Sequence, residues 1–156
     1  MKRIISTLSL AAALGCGSPP TGNPQPTIKL DVGTATLDLT VGKLKVNKGP
    51  LICALFNAAE GFPGPSPIID GSLEIDATSE SVKCVFSKLP AGDYAVTTYQ
   101  DENSNGKLDA NAFGAPTEGY GATKNNLPAA SPPTFNDNKV TLSDGQTLSL
   151  DVVLLR

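Results

Sequence analysis

The stretch SVKCVFSKLPAGDYAVTTYQ, Ser81–Gln100, decides the fold class. Val82, Cys84 and Phe86 share one face of an extended run. Leu89-Pro90-Ala91-Gly92 then supplies a turn, and Tyr94, Val96 and Thr98 share a face after it. An apolar period of two is the strand signature, and a Pro/Gly turn between two such runs separates one strand from the next.

The same period recurs on both sides. Ile28, Leu30 and Val32 alternate, then Leu37, Leu39 and Val41. Gly42 shifts the phase by one before Leu44 and Val46, which predicts a β-bulge or bend. Leu51 to Phe56 is a continuous apolar run, as expected of a strand covered on both faces. Leu73 and Ile75, Val140 and Leu142, and Leu148, Leu150, Val152 and Leu154 mark further strands. No ten-residue window carries a helical stripe. The expected fold is all-β, a single sandwich of about seven strands over residues 37–156.

Composition excludes several chemistries. Among 156 residues there is no His and no Trp, and only three Cys. Without His there is no Ser-His or Cys-His couple and no His-ligated zinc. Three Cys cannot make a four-Cys zinc or iron–sulfur site. The formal charge of −3 argues against a nucleic-acid partner.

The first residues read as an address. Met1-Lys2-Arg3 is basic, and Ile4 to Leu14 is an apolar run too short to span a bilayer as a helix. Residues 1–15 are therefore expected to be a signal peptide. Ala13-Leu14-Gly15-Cys16 resembles a bacterial lipobox, in which the Cys is lipidated and becomes the mature N-terminus. It departs from the commonest pattern, which has Leu where Ala13 stands and a small residue where Leu14 stands. Ordinary secretory cleavage is the fallback. Gly17 is not the aspartate linked to inner-membrane retention, so the resemblance implies an outer-membrane lipoprotein. Residues 17–26, GSPPTGNPQP, are too polar to bury surface and read as a spacer, so 16–36 form anchor and linker.

Several motifs of the body occur in a set. They are Gly42-Lys43-Leu44, Leu55-Phe56-Asn57-Ala58-Ala59-Glu60-Gly61-Phe62-Pro63, Leu89-Pro90-Ala91-Gly92-Asp93-Tyr94-Ala95-Val96, DENSNGKLD at 101–109, PTEGYG at 116–121 and Pro132-Pro133-Thr134-Phe135. Together they resemble a bacterial family of secreted proteins, the domain of unknown function 2141, over roughly residues 37–155. The Leu-Pro-x-Gly-x-Tyr-x-Val piece is also similar to prealbumin-like sandwiches. The resemblance implies an immunoglobulin-like or prealbumin-like sandwich with one long Asp/Asn-rich loop, and it implies no activity.

Cys53 and Cys84 both fall inside strand readings. An even pair in the oxidising envelope is expected to be bonded, the alternative being two separate buried thiols.

Asp101, Asn103, Asn105, Gly106 and Asp109 stand at positions 1, 3, 5, 6 and 9 of an EF-hand-like loop. Alternating oxygens wrap a hard cation, and the Gly permits the sharp turn. Lys107 offers its carbonyl at position 7. Ala112 replaces the bidentate Glu at position 12, and Glu118 is a candidate to complete the shell. Weak calcium binding is the expectation. The alternative is a plain hairpin turning at Asn105-Gly106. Residues 101–133 hold few large apolar side chains and are expected to form a long loop that burial alone does not order.

Asp101, Glu102, Asp109 and Glu118 contain carboxylates enough for glycoside hydrolysis, but no aromatic platform accompanies them. The reading is a non-catalytic envelope protein with a structural or interaction role, held to the membrane by its N-terminal lipid. Its protein or glycan partner is not specified. The alternative is a carbohydrate- or small-ligand-binding module using loops 101–121, with Tyr99, Phe113 and Tyr120 as an apolar contact patch or as packing for the loop.

Overall fold

The computed structural model describes the backbone of residues 27–29 and all of residues 33–64 and 73–156. The leader, Cys16 and the spacer lie outside the described residues, as do Leu30 and Val32. The strands are β1 Thr27–Lys29, β2 Ala35–Gly42, β3 Pro50–Phe56, β4 Leu73–Asp76, β5 Ser81–Leu89, β6 Gly92–Gln100, β7 Tyr120–Ala122, β8 Val140–Leu142 and β9 Thr147–Val153. One short helix, α1, spans Phe135–Asn138. Among the described residues no helix is long and apolar enough to cross a membrane.

Two sheets face each other. One has the order β1-β5-β2-β9; the other has β4-β3-β6-β7, with β8 also pairing β6. The β1–β5 and β2–β9 pairs are parallel and the remaining pairs antiparallel. Alternation dictates the core. Leu37, Leu39 and Val41 of β2 and Cys84 and Phe86 of β5 meet Leu51, Cys53 and Leu55 of β3 and Tyr94 and Val96 of β6.

The corner that carries the chain from β5 in one sheet to β6 in the other is closed by its own motif. Tyr94 donates its hydroxyl proton to the Pro90 carbonyl at 3.0 Å, four residues upstream. The tyrosine thus fixes the corner between β5 and β6 while its ring enters the core.

Four details differ from the sequence reading. There are nine strands among the described residues rather than about seven. The added β7 is a short Tyr-Gly-Ala segment with no alternation to betray it. Gly42 is the end of β2 rather than a bulge within it: Lys43 follows in the left-handed region at φ 63°, and Val46 is exposed. The register shift of β2 lies instead between Ala35 and Thr36. The outer face of β3 is covered at one end only. There Phe56 packs with Ala95, Phe135 of α1, Phe62 and Ala54, whereas Ile52 stays partly exposed.

Cys53 and Cys84 form a disulfide, with Cα atoms 6.6 Å apart. It ties β3 of one sheet to β5 of the other, through the middle of the core. Its sequence separation of 31 residues corresponds to about 4 kcal/mol in the chain-entropy account. The Cys53→Ala/Cys84→Ala double variant should lose stability of that order in denaturant titration. An unchanged unfolding midpoint would show that the bridge contributes nothing.

Candidate functional site

The candidate site is the loop from Asp101 to Gly119, between β6 and β7. It lies at the end of the sandwich where β2 and β6 finish and β3 begins. Gly49, at φ 72°, lets the loop 43–49 pass against it. A Cβ there would meet the Asp101 carbonyl oxygen at 1.8 Å.

Asp101 is only 2 % exposed. Its carboxylate accepts from the Asn105 N–H at 3.0 Å and the Gly106 N–H at 2.7 Å, while its own N–H donates to the Pro50 carbonyl at 2.9 Å. Gly106, at φ 82°, permits the tight turn over it. Asn103 and Asn105 each fold back on the chain. Asn103 Oδ1 accepts from the Asn105 N–H, and Asn105 Oδ1 accepts from the Lys107 N–H. Both amides then donate to Asp109 Oδ2, at 2.7 and 2.8 Å.

Glu118 is 5 % exposed and closes the loop from the far side. Its two carboxylate oxygens accept from the Glu102 N–H at 2.8 Å and the Asp109 N–H at 3.0 Å. The structure therefore brings Asp101, Asn103, Asn105, Asp109 and Glu118 into one connected network. Backbone and side-chain N–H groups occupy the carboxylates. Lys107 sits at the rim, its ammonium 3.8 Å from Asp109. Bonds from Asn105 and Asn103 hold the Asp109 carboxyl below the ordinary carboxylate range, with Lys107 adding to the effect. Among the described residues, no three His, Cys, Asp or Glu side chains are grouped to hold a metal ion.

The loop is more ordered than its composition suggests. It is held by hydrogen bonds to buried carboxylates, and β7 follows at once. Within it, Ala110 bridges Pro116, and Asn111 Oδ1 accepts from the N–H groups of Phe113 and Ala115. That rigid turn presents Phe113, which is 96 % exposed. Tyr99 and Tyr120 pair directly across β6 and β7.

A second cluster escaped the sequence reading. Gln100 is fully buried and donates from Nε2 to the carbonyls of Lys45 and Lys48, at 2.7 and 3.1 Å. Its Oε1 accepts from the Lys45 N–H and from Arg156 Nη2. Glu102 pairs with Lys45 at 2.7 Å and Arg156 at 3.3 Å. Burial raises the Glu102 pKa, but hydrogen bonds from Lys45 and Arg156 outweigh it and leave the carboxyl below its ordinary value. The partners stand more than fifty positions apart, so no local pattern signals them.

Beside the loop, on the outer face of β3 and β6, lies a cleft of about 350 Å³. Pro50, Ile52, Glu74, Tyr99, Asp101, Ser104 and Gly106 line it. Burial raises the Tyr99 pKa, and the charges of Asp101, Glu118 and Glu74 push it further the same way.

A family model described as uncharacterized protein conserved in bacteria, DUF2141, matches residues 39–149. The chain belongs to this family. No curated protein matches the chain. No solved structure matches it either.

Glu118 joins the two flanks of the loop, and its removal leaves two part-buried N–H groups without their acceptor. Each hydrogen bond to a charged group contributes about 1.5–3 kcal/mol. We expect Glu118→Ala to lower stability by about 2–4 kcal/mol and to expose 101–119 to proteolysis before global unfolding. Wild-type protection of the Glu102 and Asp109 amides in that variant, measured by hydrogen exchange, would contradict this role.

Proposed function

We propose that the protein is a non-catalytic lipoprotein of the bacterial cell envelope with a structural or interaction role. In this reading residues 1–15 are removed, Cys16 carries the lipid, and the following linker tethers the sandwich to an outer membrane. The observation that carries the reading is the Cys53–Cys84 bridge across the sheets. Disulfides of this kind persist in oxidising compartments, which agrees with the exported leader. The carboxylates of the loop support a structural role because N–H donors engage them.

Calcium is proposed as a weak ligand of the same loop, through Asp101, Asn103, Asn105, Lys107, Asp109 and Glu118. Its entry requires the Asn103 and Asn105 amides to release Asp109. That cost puts the affinity at the weak end, about 10⁻⁴ to 10⁻³ M. The cleft beside Tyr99 favours a second reading, a module that binds a carbohydrate or small ligand. Its lining sets Pro50, Ile52 and the Tyr99 ring beside the polar groups of Glu74, Asp101 and Ser104, which would orient a ligand.

Two experiments test these readings. Cys16→Ser should move the protein from the membrane fraction to the soluble fraction; unchanged partitioning would remove the lipid anchor. Thermal unfolding in about 10 mM calcium should rise by several degrees, equivalent to about 1.4–2.7 kcal/mol. The shift should vanish in Asp101→Ala, and a curve indifferent to calcium and chelator would remove the ion. In the same assay, stabilisation by a glycan that Tyr99→Ala abolishes would favour the ligand-binding module over the structural role.

A further inference from the structure

Among the described residues the exposed large hydrophobics are Val46, Leu108, Phe113, Val153 and Leu155. All five lie at one end of the sandwich. Val46 belongs to the loop that follows β2. Leu108 and Phe113 belong to the 101–119 loop. Val153 pairs with Gly42 at the finish of β2. Leu155 bridges Tyr120 beside the same loop. The turn that carries Phe113 is fixed by the Asn111 side chain and by the Asn111 N–H bond to the Ala115 carbonyl. The side chain is thus held out in water by a built structure.

The route of the chain supplies the occupant. β1 runs parallel to β5, with Thr27 opposite Val85 and Lys29 opposite Ser87. Traced backwards, the chain leaves Thr27 heading toward Ser81, which pairs with Gly42 at the apolar end. Four residues of strand separate those levels, about 13 Å. Cys16 precedes Thr27 by eleven residues, a reach of up to about 36 Å. Thr27 is thus the end of β1 nearer the exposed apolar groups, and eleven residues are length enough to bring that end of the sandwich to the anchoring surface.

We infer that this end of the sandwich rests on the membrane that holds Cys16, with Phe113 inserted among the lipids. The inference rests on the lipoprotein reading and adds an orientation to it. Exposed charge at this end is mixed, with Lys43, Lys48 and Lys107 alongside Asp76 and Glu80, while Lys45 and Arg156 are paired with Glu102. Apolar insertion rather than attraction to anionic headgroups carries the contact, so it persists on zwitterionic lipid and at high salt.

The absence of Trp from the chain makes the test specific. The full lipidated chain carrying Phe113→Trp is reconstituted in phosphatidylcholine vesicles, with and without brominated acyl chains. A control chain carries Asp144→Trp in the turn before β9, at the opposite end. We expect blue-shifted emission and about twofold quenching by brominated lipid at position 113, and neither at position 144. A chain that does not float with the vesicles overturns the tether and the inference with it. A chain that floats with the position-113 probe unquenched overturns the orientation alone. A blue shift that grows with protein concentration and ignores bromine assigns the apolar end to a second copy of this chain and overturns the membrane contact.

Discussion

The covalent link between β3 and β5 is the constraint on which the rest of this structure leans. The core is built mainly from Leu, Val and Ala, with Phe86 and Tyr94 the rings of its main cluster, and side chains of this kind alone fix the spacing of two sheets only loosely. The Cys53–Cys84 bond sets it. Its position matters as much as its strength. Cys53 lies on the strand that pairs with β6, and β6 carries the candidate loop at its end. Fixing β3 against β5 therefore fixes the level at which Pro50 receives the Asp101 N–H, the first bond of the loop.

From there the loop is organised by inverted roles. In most small domains carboxylates of an acidic loop face water or a cation. Here two of them turn inward and satisfy backbone N–H groups that a chain with so little apolar surface would otherwise leave to solvent. Asp101 shapes the tight turn at Gly106, and Glu118 fastens both flanks of it. Gln100, one residue earlier, does the same for the neighbouring loop through the carbonyls of Lys45 and Lys48. A short polar segment at the end of β6 thus orders two loops without a hydrophobic centre of its own.

The fold was legible because period-two alternation is local, and β2, β5, β6 and β9 all display it. The Leu-Pro-Ala-Gly-Asp-Tyr corner was legible for the same reason, since Tyr94 and Pro90 are four residues apart. The cysteine pair was readable as a pair from compartment and count, although only the fold could bring the two together. β7 was not readable, because three residues centred on Gly121 carry no period. Gly121 is there for closeness instead: a Cβ would stand 2.8 Å from a Val152 methyl. In the loop, spacing picked out the residues that gather, Glu118 included, but not what their oxygens contact. A carboxylate that caps N–H groups and one that wraps an ion share a sequence pattern. The Gln100, Lys45, Glu102 and Arg156 cluster had no pattern at all, because its partners are distant in the chain.

The short β1 has a consequence of another kind. It lies before the matched family region and adds three residues beside β5, whose other side is taken by β2. Without it, the far edge of β5 would offer a row of unpaired N–H and C=O groups to any extended chain nearby. A version of the protein shortened to begin at β2 would thus acquire a sticky border. Chains made that way would recruit one another edge to edge, and handling them at high concentration would favour oligomers that the longer chain resists.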